Sequence, residues 1–251
     1  LAEKFVNIDE LDINLIDSVN PFQRAFEVMS KSVTPSVLRI ISDAITATAK
    51  RFGTTEFMVV HAALSVLLAR LSASDDIAVA TPTAGRGQAV LDPLVGMFVN
   101  TLVLRTGVQP GDTFAELLGR VRATDLAAFA NADVPFETIV DAVGAVRSQA
   151  FSPLSQVWLS LNRSVLPELA DADAATGEIA GLKVSAVGTD ELPTKVDLLV
   201  GIGQADDGPW YSSMVYATDL FDESTVRIFA DQLLAILDAV LDNPAIAVGD
   251  I

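Results

Sequence analysis

The fold is decided by the stretch Asp75–Arg105, which reads DDIAVATPTAGRGQAVLDPLVGMFVNTLVLR. Two apolar runs in it, Ile77–Ala80 and Phe98–Leu104, have the length of short buried strands. A helix that begins near Thr54 or Thr55 precedes them and is apolar nearly all the way round, which is typical of a helix buried in a core. This alternation of helix and strand predicts a layered α/β domain.

Start and stop signals define helices on either side of this stretch. Thr34-Pro35 supplies an N-cap and a first-turn proline, and Gly53 supplies the stop, so one helix lies between them. Thr113 and Glu116 form a capping box that opens another helix. The remaining predicted elements are a short helix from Pro135 to about Val143, strands at Val157–Leu161, Val196–Ile202 and Tyr211–Tyr216, and a closing helix that is capped by Asp222 and ends before Asn243-Pro244.

Composition predicts a single globular domain over residues 1–251, because 51% of the residues are apolar and 20% are charged. We find no internal repeat. The one long irregular segment is Ser164–Gly181, and a loop of this length in a compact domain is often functional. We expect it to be either a solvated excursion or an arm that crosses to a neighbouring lobe or chain.

Charge and apolar patterning argue against several functional classes. The formal net charge is −17, whereas binding to a nucleic acid backbone needs a clustered excess of Lys and Arg. No apolar run reaches the length of about 18–20 residues that spans a bilayer, and the N-terminus lacks the basic head and apolar core of a signal peptide. We therefore expect a cytoplasmic protein that binds neither nucleic acid nor membrane.

The sequence offers no self-sufficient catalytic or metal-binding pattern. Its one histidine, His61, lies in the apolar helix, where we favour a core or interface role over that of a general base. The carboxylates of Asp75-Asp76 stand in a predicted cap, without the converging ligands of a metal site. The glycines around Arg86 lack the further glycine of a dinucleotide fingerprint, and no phosphate-binding loop occurs.

Four short segments follow one another along the chain: ATPTAGR at 80–86, VGMFVNT at 95–101, DVPFE at 133–137 and RSQAFSPL at 147–154. In this order and at these spacings they resemble the second half of the condensation domains of nonribosomal peptide synthetases. Asn131-Ala132 replaces the His-Gln that precedes the third segment in the family. The family's catalytic His-His-x-x-x-Asp-Gly motif cannot occur in a chain with one histidine, so the sequence resembles half of an enzyme.

The resemblance implies a chloramphenicol-acetyltransferase-like α/β lobe, in which helices flank a mixed β-sheet as a two-layer sandwich. Two such lobes enclose a tunnel where the phosphopantetheine arms of two carrier proteins meet. The absent first lobe supplies the histidine that activates the acceptor amine for attack on the donor thioester. The implied partners are the N-terminal lobe and the upstream and downstream carrier proteins, and no cofactor is bound directly.

The resemblance also implies a lobe-interface or tunnel role for four residues. Arg86 is similar to the arginine that pairs with the structural aspartate of the absent motif, a task that suits a guanidinium, and the alternative is a surface arginine at a strand end. Asn100 and Thr101 are similar to a pair at the tunnel floor, where they line the tunnel or satisfy buried backbone groups. Arg147 is an interface or loop-anchoring residue, or an exposed one that aids solubility.

A structural role is expected for Asp133, Pro135, Phe136 and Glu137, which read as a helix start with an anchoring aromatic ring. Two hypotheses for the whole chain follow. The first is the C-terminal lobe of a condensation domain, inactive alone. The second is an interaction module that binds a carrier protein or another lobe without chemistry. An acyltransferase with a soluble donor is a third, but it also needs the missing histidines.

Overall fold

A computed structural model describes most of the chain and contains a mixed β-sheet with helices packed against it. The described residues are 25–29, 35–87, 89–148, 150–163, 176–179, 182–185, 194–204 and 210–251. Their strands and helices are, in chain order, β1 (Ala25–Met29), α1 (Pro35–Phe52), α2 (Glu56–Ser72), β2 (Asp76–Thr83), β3 (Asn100–Gly107), α3 (Phe114–Ala130), α4 (Phe136–Ala142), β4 (Val157–Arg163), β5 (Thr176–Ile179), β6 (Leu182–Ser185), β7 (Leu198–Gln204), β8 (Trp210–Ala217) and α5 (Glu223–Asp242).

The main sheet has six strands in the order β1-β8-β7-β4-β2-β3. Strand β4 runs parallel to β2 and to β7, and the other neighbouring strands are antiparallel. Strands β5 and β6 form a separate antiparallel pair. The predicted mixed α/β sheet is therefore confirmed.

The core lies between the sheet and the helices and is centred on α2. Every residue from Met58 to Leu67 is buried, because α2 packs against α1, α3, α5 and β2. Alternate residues of the strands face the same core, as Leu159 of β4 and its register partner Val200 of β7 do. Fully burying one such side chain contributes roughly 1.5–3 kcal/mol, so apolar burial is the main stabilising term.

Local signals set the helix ends as the sequence predicted. Thr55 is the N-cap of α2, and its hydroxyl accepts a hydrogen bond from the N–H of Met58. Thr113 and Glu116 form both halves of the capping box of α3. Gly53 ends α1 with a φ of +62°, a conformation that glycine adopts without steric cost.

Strand boundaries differ from the predicted ones. β2 continues to Thr83, and β3 runs from Asn100 to Gly107, because these two strands pair along their whole length. In the described register between β2 and β4, Ala80 lies opposite Trp158. Ala80 is two residues before Pro82. A proline is tolerated in a strand where it has no ladder bond to donate.

Three strands, β1, β5 and β6, were not predicted, and β5 corrects an expectation. Thr176–Ile179, within the segment expected to be irregular, forms β5 and pairs with β6. β6 begins directly after that segment, and β1 pairs with β8. Asp222 is the N-cap of α5 as predicted, although its side chain makes no capping hydrogen bond. Thr34 and residues 164–175 lie outside the described residues.

Within the described ranges, no single helix has both the length and the hydropathy needed to cross a membrane. The pair Ile41–Phe52 and Glu56–Ser72 meets both criteria when taken together, and the two helices are bent by 103° at the break between them. The second of them is the core helix α2, whose central residues are buried.

Candidate functional site

Arg86 follows β2 and fastens a loop to the end of the sheet. Its guanidinium donates hydrogen bonds to the carbonyl oxygens of Leu91 and Leu94, the latter at 2.9 Å. The same group lies over the ring of Phe98, with 4.3 Å between Cζ and the ring centroid. Arg86 therefore acts as a clamp on the loop 89–99, while its pairing with an aspartate of another lobe stays a prediction.

Gly85 allows the backbone of this loop to approach the end of β2. Its φ is +62°, and a Cβ atom built on it would lie 1.7 Å from the carbonyl oxygen of Phe98. Any other residue would need the backbone to move, because both the space and the dihedral angle favour glycine. The clamped loop is thus fixed at two successive positions.

The clamped loop exposes a row of apolar side chains, which we call the apolar ridge: Val90, Leu94, Val95, Met97 and Val99. Met97 exposes 89% of its surface, and Val95 is fully exposed. Single exposed apolar residues are normal, but a concentration of them marks a surface for interaction. The ridge is therefore a candidate contact surface.

Asn100, the first residue of β3, holds the turn 131–136. Its Nδ2 atom donates hydrogen bonds to the carbonyl oxygens of Ala132 at 2.9 Å and Val134 at 2.7 Å. Its Oδ1 atom accepts one from the N–H of Phe136 at 3.1 Å. Both amide donors and the acceptor are used in this way, which favours the backbone-satisfying role over contact with a substrate.

The turn held in this way contains the residues predicted as a structural motif. Pro135 is the N-cap of α4 and Phe136 is its first helical residue, so the predicted helix start is confirmed to within one residue. The side chain of Phe136 is half-buried, whereas Asp133 and Glu137 are exposed. Thr101, at the second position of β3, is half-buried. A tunnel role for any of them stays a prediction.

Arg147 ties the loop after α4 back to that helix. Its guanidinium lies 3.1 Å from the carboxylate of Glu137 and 2.7 Å from that of Asp141. Hydrogen bonding to Asp141 is the main cause that raises the pKa of Arg147 above its usual value. All three side chains are more than half exposed, and exposed ion pairs stabilise little. Arg147 is therefore an exposed anchor of this loop.

His61 and Asp125 form a buried pair that the sequence analysis missed. The Nδ1 atom of His61 lies 3.1 Å from Oδ2 of Asp125, and neither side chain has exposed surface. The expected core histidine is confirmed, but its partner lies on α3, 64 residues away. One signal was present, because Leu118, Val121 and Asp125 follow helical spacing on the buried face of α3. Full burial denies this pair contact with a substrate.

Taken together, the site consists of an exposed apolar ridge and of guanidinium and carboxamide groups bound to backbone. Among the described residues, no group of three or more His, Cys, Asp or Glu side chains is arranged to hold a metal ion. Such a surface offers shape and apolar area to a partner, and it presents no exposed nucleophile and base side by side. Its chemistry suits docking and the shaping of a cavity.

Comparisons with known proteins identify the relatives of this chain. A family model described as "Condensation domain" matches residues 23–251. The chain is 40% identical over 204 residues to the probable nonribosomal peptide synthetase CymA of Salinispora arenicola, which covers 81% of this chain and 2% of that protein. It is 38% identical over 200 residues to the dimodular nonribosomal peptide synthase of Bacillus subtilis, which covers 78% of this chain and 8% of that protein.

Solved structures resemble the chain over nearly its whole length. The X-domain from teicoplanin biosynthesis has a TM-score of 0.78 at 25% identity, covering 93% of this chain and 50% of that one. A four-domain nonribosomal peptide synthetase bound to AMP and glycine has a TM-score of 0.73 at 22% identity, covering 98% of this chain and 20% of that one. The chain thus spans half or less of these relatives, and its fold is the expected chloramphenicol-acetyltransferase-like one.

Proposed function

The chain belongs to the condensation-domain family, and from this premise we propose that it is the C-terminal half of a nonribosomal peptide synthetase condensation domain. In the proposed reaction, an acceptor amine attacks a donor thioester and forms an amide bond, with both substrates tethered to carrier proteins by phosphopantetheine arms. This chain contributes tunnel wall and carrier-docking surface. It is inactive alone, and its proposed location is the cytoplasm.

The apolar ridge is the observation that carries the proposal. It lies in the loop that resembles a family segment, and it exposes five apolar side chains on a loop that Arg86 and Gly85 hold in place. A surface that is both apolar and preorganised costs little entropy when a partner covers it. The chain spans half of the X-domain chain that it resembles, so the proposed partner is the N-terminal lobe.

The proposed division of labour follows from the chemistry of amide formation. Attack by an amine needs a group that positions it or removes its proton. The one histidine of the 251 residues is buried against Asp125 and cannot reach a substrate. We propose that the base is supplied by the N-terminal lobe, outside this sequence, as the family resemblance implies. Proton transfer is sufficient for this reaction, so the proposal includes no metal or diffusible cofactor.

A second candidate function is an interaction module without chemistry. It is favoured by the TM-score of 0.78 to the X-domain from teicoplanin biosynthesis, a domain that has also been solved in complex with OxyB. In this alternative the apolar ridge binds another protein directly. The two candidates differ in whether an added lobe restores product formation.

The test is reconstitution with loaded carrier proteins. We expect the chain to form the condensed product, detected by mass spectrometry, when an N-terminal lobe with the His-His-x-x-x-Asp-Gly motif is added in cis or in trans. The chain alone should give background turnover, and appreciable product from it would contradict the proposal. Binding of lobe or carrier without product in every arrangement would favour the interaction module.

The ridge itself is tested by a charged substitution and a matched control. We expect Val95→Asp with Met97→Asp to weaken association with the N-terminal lobe by at least about tenfold, because a carboxylate in an apolar interface stays unpaired. Ile228→Asp changes another exposed apolar residue, on α5, and should leave the affinity unchanged. An equal effect of both variants, or of neither, would remove the ridge from the interface.

A further inference from the structure

The two ends of α3 are held by different kinds of contact. The first half of the helix buries only apolar side chains, namely Phe114, Leu117, Leu118 and Val121. Asp125 is the last buried residue of α3, and after it Leu126 and Phe129 expose 47% and 42% of their surfaces. The end of α3 that leads into the turn 131–136 is therefore held by one fully buried polar side chain, beside the edge-on contact of the half-exposed Phe129 ring with Phe57 of α2.

The pair that Asp125 forms with His61 is an inefficient source of stability. Nε2 of His61 and Oδ1 of Asp125 are buried and have no hydrogen-bond partner in the described part of the chain. Unpaired buried polar atoms are destabilising, and apolar residues of similar volume are often as stable as a buried ionic pair. A role other than stability accounts better for a polar pair at this position.

The His61–Asp125 hydrogen bond depends on the direction in which the two groups approach, whereas an apolar contact does not. One hydrogen bond, between Nδ1 of His61 and Oδ2 of Asp125 at 3.1 Å, joins α2 to α3. Apolar side chains tolerate a small slide of one helix along another, whereas a hydrogen bond weakens steeply with distance and angle. A slip of one residue along α3 would move its end by about 1.5 Å.

We infer that the His61–Asp125 pair fixes the position of α3 along α2. The pair thereby holds the turn 131–136 where Asn100 can form hydrogen bonds to it. Asn100 needs the carbonyl oxygens of Ala132 and Val134 at 2.9 and 2.7 Å, and a displacement of about 1.5 Å would break both bonds. His61 and Asp125 are positioning residues. Their bearing on amide formation rests on the proposed function, but the placement of the turn does not.

The experiment separates position from stability by replacing the pair with apolar residues in the 251-residue chain. We expect Asp125→Val alone to lower the melting temperature, because His61 is left unpaired, and we expect His61→Leu with Asp125→Val to restore it. Hydrogen exchange of the Phe136 amide, which bonds to Asn100, should still be faster by about tenfold or more in the double variant. A double variant with parental exchange at Phe136 would overturn the inference.

Two further variants guard against a general loss of stability. Asp125→Asn keeps the shape and a hydrogen-bonding group, so exchange at Phe136 should stay close to that of the parent, and exchange as fast as in Asp125→Val would overturn the inference. Val121→Ala leaves a cavity one turn earlier on α3. It should lower the melting temperature without selectively exposing Phe136, and selective exposure by this variant would also overturn the inference.

Discussion

The interior around α2 and the loops that resemble the family segments are held by different forces. In the interior, side chains such as Leu64 are completely buried among other apolar groups, and each contributes through the area that it removes from water. In the loops, Arg86 and Asn100 reach across to backbone carbonyl groups. The stability of the interior depends on the total volume of its apolar side chains, whereas each loop is held by single hydrogen-bond donors.

This difference determines how each region responds to substitution. A core tolerates apolar exchanges that keep its volume, because the hydrophobic effect has no direction. When the one side chain that clamps a loop is replaced, no other donor takes over its hydrogen bonds, although few other contacts change. We therefore expect core variants to change the free energy of unfolding of the whole chain, and clamp variants to act mainly where the loop is held.

Leu64→Ala is the variant that should destabilise the chain most. Removal of a completely buried leucine side chain from α2 costs about 2–5 kcal/mol, because both transfer energy and a cavity are involved. The loss should appear in denaturant unfolding as a lower midpoint. Leu64→Met, which keeps the volume, should cost less than about 1.5 kcal/mol. If the two variants were equally destabilising, the core would depend on shape rather than on volume.

Asn100→Ala should have the next largest effect and a more local one. It removes both hydrogen bonds to Ala132 and Val134 and leaves the N–H of Phe136 without its acceptor, at a cost of about 1–3 kcal/mol. Hydrogen exchange should increase in the turn 131–136 before it increases in the core. Asn162→Ala is the control, because that exposed asparagine bonds only to Ser160 among the described contacts, and it should change little.

Helix ends and their order were predicted well because their causes are local. The capping box of Thr113 and Glu116 and the stop at Gly53 lie within a few residues of the ends that they define. Sheet order is not local, since β1 and β8 are separated by most of the chain yet pair along their length. The short strand β5 has no apolar alternation, so its sequence gave no sign of pairing with β6.

The sequence analysis named four residues of the candidate site without their contacts, and it did not predict the apolar ridge. The resemblance identified Arg86 and Asn100, and the structure adds that Arg86 clamps the loop 89–99 and that Asn100 holds a turn 32 residues away or more. Asp125 was missed because a single carboxylate in an amphipathic helix usually lies on the solvent side. The role of Asp125 as a partner is clear only from the structure, in which His61 of α2 lies next to it.

Arg147→Gln should have the smallest effect. It tests whether exposed ion pairs hold the loops as hydrogen bonds to backbone carbonyl groups do. Arg147 uses its guanidinium as Arg86 does, but its partners are the exposed carboxylates of Glu137 and Asp141, which lose little when they return to water. We expect no measurable change in melting temperature at low or high salt. Arg227→Gln, which removes the exposed pair with Glu223 on α5, is the matched control. A loss for Arg147→Gln as large as that for Asn100→Ala would mean that exposed ion pairs also hold these loops, and the contrast between hydrogen bonds to backbone carbonyl groups and surface charges would then fail.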